Sequence, residues 1–470
     1  MTNWIPEPAG GEGAFYRRLA DGIEAAIASG AAPEGAKLPP QRDLAYDLGV
    51  TIGTVGRAYA LLRERGLVSG EVGRGTYVLP RPAPSGAAMT EVAPDVAGTR
   101  TDEVAPGKQR LDSTAAPDLG QGAVIGEVLA GIARDHPLEV ASYSRTFPAS
   151  WAEAGRRWLG RSGWMPAADS VLSTLGAHSG ALTAMAAVTA PGDRIVFEQL
   201  SYSQVARGAR LIGRRIATVE MDAHGMIPDA FERVCAQQHP KLAFLMPTVH
   251  NPTLAIMPED RRRAIARIAA RYDVWLIEDD IYGALADDRT PMLASFAPER
   301  TFVLGGLSKA VAAGLRGGWI ACPPRLLHRL RVVQKITMGG LPFLLAEAAA
   351  RMVLGGHAAD LRARTLAELA DRQAIASAAF AGHDFLSVPT APYLWLRLPE
   401  TWLPGTFKAA AMAEDLLIDD EDEFKPAPVD RAFRRVRISF SSVDGASLAT
   451  SLARLRQLLD SGDAGYDAVV

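Results

Sequence analysis

Lys309 stands just after an apolar run, in the segment TFVLGGLSKAVAAGLRGGWI, with Ser308 before it and Arg316 seven residues further on. A lysine at the end of a buried strand loses hydration, which lowers its pKa and frees a nucleophilic amine. Such an amine can form a Schiff base with an aldehyde cofactor, and Ser308 and Arg316 could hold that cofactor's phosphate. A Ser-Lys pair alone carries little, because most such lysines are simply solvated. Three other segments add to it. VWLIEDDIYG ends a strand in acids, with Tyr282 three residues after Asp279. A carboxylate there can pair with a pyridinium nitrogen and keep the ring an electron sink, although acids at a strand end are more often a solvated loop. LAFLMPTVHNPT puts Asn251 before Pro252, where the amide either hydrogen-bonds a phenolic oxygen or just makes a turn. LSTLGAHSGALTAM runs from a glycine turn into a helix whose free amides near Ala177, His178 and Ser179 could bind phosphate. His178 by itself reads more readily as a packed or capping histidine.

These pieces need a scaffold that presents strand ends. From about residue 111 onward short apolar runs, 194–197, 242–246, 274–277 and 301–304, alternate with longer helical patterns and are bounded by Gly, Pro or Asp. That alternation predicts an α/β domain over 111–463 with a mainly parallel sheet, whose ligands sit beyond the carboxyl ends of the strands. Residues 80–110 are rich in Pro, Ala and Gly and poor in large apolar side chains, which predicts a flexible linker. Residues 12–79 form a separate periodic block. A chain of 470 residues, 48% hydrophobic and 22% charged, has ample material for this multidomain plan. The net charge of −3 gives no global attraction to nucleic acid, so any DNA contact must be local. Cys235 and Cys322 supply neither a disulfide framework nor zinc spacing, no metal site is expected, and a reducing cytoplasm fits. No secretory leader and no membrane-spanning run is read from the sequence.

In the first block, Phe15, Leu19, Ile23 and Ile27 make one apolar stripe of a helix ending near Gly30. Pro39 and Pro40 open a second helix with Leu44 and Leu48 one turn apart, and Gly49 can end it. Thr51 can cap a third, with Val55, Ala58, Tyr59 and Leu62 facing inward. LVSGEVGRGTYVLP then reads as two short strands around a Gly73-Arg74-Gly75 tip. The whole predicts a winged helix-turn-helix that places a helix in the major groove of double-stranded DNA. Candidate contacts are Arg42, Thr51, Thr54 and Arg57, with Arg74 on a phosphate or in the minor groove. Acids such as Asp21, Glu24, Asp43 and Asp47 offset much of the positive charge.

LPPQRDLAYDLGV, TVGRAYALLRERGLV and GRGTYV, in that order, resemble the GntR-type winged helix, which implies an operator-binding head. Residues from about 111 look like a fold-type-I aminotransferase dependent on pyridoxal 5'-phosphate, of the subgroup related to kynurenine and aminoadipate aminotransferases, with a small C-terminal α/β subdomain. That resemblance implies a role for each matched residue. Lys309 bonds the cofactor, Asp279 pairs with its ring nitrogen, and Asn251 and Tyr282 hold its 3′ oxygen. Ser308, Arg316 and the turn Ala177, His178 and Ser179 take the phosphate. Tyr202 stacks on the ring, Arg437 in RRVRISFSS grips a substrate carboxylate with two parallel donors, and Tyr143 reaches a neighbouring subunit's phosphate. Head, linker and body together resemble the MocR type of transcription regulator. The resemblance implies a homodimer that senses an amine or amino acid by aldimine exchange at Lys309. The alternative is a catalytically active aminotransferase with an attached DNA-binding head. Gly306, Ala177 and His178 depart from the more usual polar residues at their positions.

Overall fold

The computed structural model describes residues 6, 8–9, 14–33, 35–65, 67–71, 75–79, 107–143, 147–286, 289–428 and 431–462. The chain divides into two compact units, residues 1–92 and 93–470.

In the first unit α1 (Phe15–Ser29) ends where Gly30 adopts a left-handed conformation at φ 81°. α2 (Gln41–Asp47) follows Pro40, and Gly49 at φ 63° makes the turn to α3 (Ile52–Glu64). Thr51 caps α3, its hydroxyl accepting from the Thr54 amide at 3.3 Å. Leu19, Ile23, Leu44, Val55, Ala58, Tyr59 and Leu62 are all buried in one small core, and the Tyr59 hydroxyl donates to the Pro39 carbonyl at 2.7 Å. β1 (Val68–Glu71) and β2 (Gly75–Val78) pair antiparallel as a wing. The wing tip, and Arg74 with it, lies outside the described residues.

The predicted linker falls mostly on undescribed residues, and its last stretch is corrected. Gln109–Arg110 is a short strand parallel to Leu416–Leu417, and the Gln109 amide donates to the Asp415 carbonyl at 2.8 Å. A polar sequence conceals this pairing because the partner that satisfies its backbone lies some three hundred residues away in sequence.

The second unit is built on seven strands: β3 (Val171–Thr174), β4 (Arg194–Glu198), β5 (Arg215–Val219), β6 (Leu242–Leu245), β7 (Trp275–Asp279), β8 (Thr301–Gly306) and β9 (Gly318–Ala321). Their order is β3-β9-β8-β7-β6-β4-β5. Only β9 runs antiparallel, to both β8 and β3; the remaining pairs are parallel. Alternate residues feed two apolar layers. Ile195, Phe197, Phe244 and Ile277 enter one, and Val196, Ala243, Leu245 and Leu276 enter the other. Cover on both faces is why these strands read as continuous apolar runs. A four-stranded antiparallel sheet (Phe385–Leu386, Tyr393–Arg397, Arg435–Ser439, Asp419–Asp420) and the helices His357–Ala379, Pro404–Ala413 and Gly445–Ser461 form the smaller C-terminal part. No described helix is long and apolar enough to cross a membrane.

Candidate functional site

The strand ends β6, β7 and β8 open on a cavity of about 320 Å³, within the range of roughly 300–1,000 Å³ usual for small-ligand sites. Ten residues named from the sequence line it: Ala177, His178, Tyr202, Asn251, Asp279, Tyr282, Ser308, Lys309, Arg316 and Arg437. A wider cleft of about 550 Å³, walled by Gln199, Glu220 and Arg431 among others, has no lysine, cysteine or histidine in its described lining.

Lys309 lies three residues past β8, half-buried, with Nζ donating to the Thr114 hydroxyl at 2.7 Å. The Tyr282 hydroxyl donates to the same Thr114 oxygen at 3.0 Å. Burial and then the Arg437 charge lower the Lys309 pKa to about 8, against the opposing pull of Asp279. Asp279 ends β7. Burial pushes its carboxyl up to about 7, although the Ile281 amide donates to Oδ1 at 3.1 Å. Burial likewise raises the Tyr282 phenol to about 12, so it remains a donor. The neighbouring acid Asp280 turns away from the cavity residues, into a two-pronged pair with Arg161 at 2.6 Å through each oxygen.

At the opposite end, α4 (Gly176–Val188) starts directly after β3, with Gly176 at φ 81°. Its first amides have no helical partner. Burial, then Arg316, lowers the His178 pKa, and His178 Nδ1 is buried without a hydrogen-bond partner. Arg316 Nη2 touches the Leu175 carbonyl at 3.3 Å and the residue stays exposed. Amides at a helix start, an arginine and an unmet ring nitrogen gathered here, with Ser308 on the same cavity wall, could together receive an anion. The Ser179 hydroxyl donates to the Gly176 carbonyl at 3.2 Å and the residue is absent from the cavity wall, because a serine in a first turn readily bonds its own helix. Tyr143 is 85% exposed and away from the cavity of its own chain.

The start of α4 depends on close backbone approach. A Cβ on Gly318 would sit 2.7 Å from the Gly176 Cα and 2.9 Å from the Gly305 carbonyl oxygen. Gly318→Ala therefore displaces the start of α4, at a cost of about 1–3 kcal/mol. The expected result is weaker retention of a phosphate ester together with a lower unfolding midpoint, read by equilibrium dialysis and thermal unfolding.

Asn251 and Arg437 meet at the third side. Arg437 Nη1 donates to Asn251 Oδ1 at 2.8 Å, and since a guanidinium only donates, the contact uses the Asn251 oxygen and none of its amide hydrogens. Arg437 Nη2 donates to the Asp112 carbonyl at 2.9 Å and to Asp419 Oδ2 at 2.5 Å. The sequence reading missed Asp112, Thr114 and Asp419. Thr114 lies 195 residues from Lys309, and no local spacing betrays such a contact. Among the described residues no group of three or more His, Cys, Asp or Glu is placed to hold a metal ion.

On the head, Arg42, Thr51 and Arg57 are exposed and Thr54 half-exposed, on the side of α2 and α3 opposite the buried face. Thr51 and Thr54 share a hydroxyl contact of 3.0 Å. Arg65 is drawn to Asp21 and Glu24 on α1, at 2.7 and 2.5 Å.

Residues 139–454 match the family of aminotransferases class I and II, and residues 15–78 match the gntR family of bacterial regulatory proteins. The HTH-type transcriptional regulator YdeF of Bacillus subtilis is 29% identical over 87% of this chain and 86% of its own. YjiR of Escherichia coli is 30% identical over 73% and 76%, and TauR of Rhodobacter capsulatus is 26% identical over 96% and 97%. In fold, the body is similar to an archaeal alanine:glyoxylate aminotransferase, with TM-score 0.69 and 21% identity over 75% of this chain and 91% of that one. A GntR head, a fold-type-I aminotransferase body and full-length similarity to transcriptional regulators agree, and the chain belongs to the MocR-type transcription regulators.

Proposed function

We propose that the body binds pyridoxal 5'-phosphate and uses it to detect a primary amine, changing how the head binds a double-stranded operator. The observation that carries this is Lys309 and Asp279 on adjacent strand ends of one cavity, beside an anion cradle. The donor set fits the cofactor group by group. The turn at Gly176, Ala177 and His178, with Ser308 and Arg316, would hold the phosphate, and the orphaned His178 Nδ1 is a polar atom that a ligand can satisfy. Asp279 would hold a proton at the ring nitrogen, Asn251 and Tyr282 would donate to the phenolic oxygen, and Tyr202 would stack on the ring. When bound, the cofactor supplies an aldehyde that captures primary amines and a ring that withdraws electrons. Lys309, with its pKa lowered to about 8, keeps an appreciable share of free amine near neutral pH. The Thr114 hydroxyl is the acceptor that would hold this amine in place. Tyr143, with Leu138 and Phe147, offers exposed side chains near one another in sequence to a second copy in a homodimer.

The test is DNA affinity. A duplex selected from a random library by the full-length protein is titrated with protein that is cofactor-free, cofactor-loaded, and loaded plus amine. The expected result is a change of at least fivefold between two of the states; equal affinity in all three defeats the sensor reading. In the same samples, a visible absorption band that shifts on amine addition and persists supports a sensor, whereas complete conversion to the amine form of the cofactor supports a working aminotransferase.

Arg57 on α3 is expected to touch DNA. Arg57→Ala weakens binding in one of two ways. A base contact costs about 1–3 kcal/mol and relaxes specificity at one position, whereas a phosphate contact weakens all sequences alike and lowers the salt slope by about one. Binding measured at several salt concentrations on selected and scrambled duplexes separates these; unchanged affinity on both removes Arg57 from the interface.

A further inference from the structure

We infer that the amine this body detects carries no carboxylate on its amine-bearing carbon, because Asp419 already occupies the arginine that would receive one. The inference rests on the amine-sensing reading above and names its ligand class.

A guanidinium grips a carboxylate with two parallel N–H groups, either the two terminal nitrogens or Nε with one of them. Nη2 carries two hydrogens and makes two bonds, to the Asp112 carbonyl at 2.9 Å and to Asp419 Oδ2 at 2.5 Å. Nη1 spends one hydrogen on Asn251. What remains is Nε, which is buried without a partner, and one hydrogen of Nη1. Both forks of Arg437 share Nη2, so each has lost a prong.

The pair is built into the backbone. Asp419 stands directly opposite Arg437 in the antiparallel ladder between Asp419–Asp420 and Arg435–Ser439. Opposite charges at facing positions of a sheet hold each other without any loop having to move. The rings of Phe424 and Tyr393 lie against the guanidinium, with centroids 4.8 and 5.4 Å from Cζ. Other acids of the same run have partners of their own. Lys408 takes Asp420 and Glu423, Lys425 takes Glu421 and Asp422, and Glu421 also accepts the amides of Phe433 and Arg434. Asp419 is thus the carboxylate in this run committed to Arg437.

Both partners of this ion pair are buried. A ligand carboxylate brought here would either set two carboxylates on one guanidinium or expel Asp419 into a site with its cation taken, and both are costly. A ligand bearing only its amine meets an ion pair whose two charges already balance.

A matched pair of probes tests this: propylamine, and L-2-aminobutyrate, which is propylamine with a carboxylate on the amine-bearing carbon. Dissociation constants are read from the spectral change of the cofactor-loaded full-length protein. The expected result is at least tenfold preference for propylamine, and a shift of at least tenfold toward 2-aminobutyrate in Asp419→Ala. Asp419→Asn, which removes the charge but keeps an acceptor and most of the shape, is expected to shift the same way by less. A second arm needs no cofactor: calorimetric titration of cofactor-free protein with butyrate shows binding in Asp419→Ala and none in the unaltered protein. Preference of the unaltered protein for 2-aminobutyrate, or a ratio that stays within twofold in both variants, overturns the inference while leaving amine sensing intact. A protein that takes up no cofactor defeats the proposed function instead, and the butyrate arm then decides the matter of Asp419 alone.

Discussion

Cofactor-free protein carrying Asp279→Asn is expected to be more stable than the unaltered protein at pH 8, with the advantage vanishing near pH 4. Burial raises the Asp279 carboxyl from 3.8 to about 7, Asp280 adds to the rise, and the Ile281 amide and Lys309 resist it. The folded state therefore keeps a proton that the unfolded chain releases near pH 4. A group with a raised folded pKa stabilises fully below its unfolded value and loses that contribution as pH climbs through the folded one. For a shift of this size the loss is about 4 kcal/mol between pH 4 and pH 8. Asparagine carries no charge to desolvate, and its Oδ1 can still accept from Ile281. Loading with pyridoxal phosphate should reverse the order, because only aspartate can hold a proton on the ring nitrogen. Urea unfolding of both proteins at pH 4.5, 6 and 8, with and without the cofactor, reads all of this. A difference independent of pH would mean that Asp279 is already ionised in the fold, and the buried-acid account of this strand end would fall.

That prediction exposes a tension between stability and function that the sequence partly discloses. Asp279 and Lys309 were legible because strands covered on both faces are apolar throughout, so a charge at the end of one stands out. β6 and β8 fall where the runs 242–246 and 301–304 put them, with ends differing by a residue or two. The direction of β9 was not legible: GWIA is four residues long and nothing local tells antiparallel from parallel. The head was readable down to its caps, since Gly30, Gly49 and Thr51 act on their own neighbours.

What stayed hidden were contacts made across the chain. Thr114 sits in LDSTAAPD, beyond a linker-like stretch, and only the folded body brings it to Lys309 and Tyr282. The acidic run at 419–423 has the composition of a solvated loop, yet Asp419, Asp420 and Glu421 are buried. Charges of this kind are buried only with partners, here Arg437, Lys408, Lys425 and the amides of Phe433 and Arg434. Arg437 shows both sides of the matter. Its place in the cavity follows from a motif, whereas its occupation by Asp419 follows from a strand register that no motif reports.

Lys309 supplies the second large effect. Uptake of pyridoxal phosphate by the full-length protein, followed by growth of the lysine-bound absorption band, should accelerate with pH through a midpoint near 8 rather than 10.5. Only the neutral amine attacks an aldehyde. At pH 7 a lysine of pKa 8 is about one-tenth neutral, against roughly one part in three thousand for an ordinary lysine, an advantage of about 300-fold. Lys309→Ala should abolish the band while leaving the phosphate cradle intact, so weak, reversible retention of the cofactor remains measurable by dialysis. The midpoint should also respond to the charges around it, with signs fixed in advance. Asp279 favours the protonated lysine, so Asp279→Asn moves the midpoint below 8. Arg437 disfavours it, so Arg437→Gln moves the midpoint up. Thr114→Val removes the hydroxyl that accepts from Nζ in the resting protein, taking away a bond to the charged amine and lowering the midpoint further. A midpoint that stays put in all three variants would mean that burial alone sets this lysine, and the surrounding charges would then have no part in its reactivity.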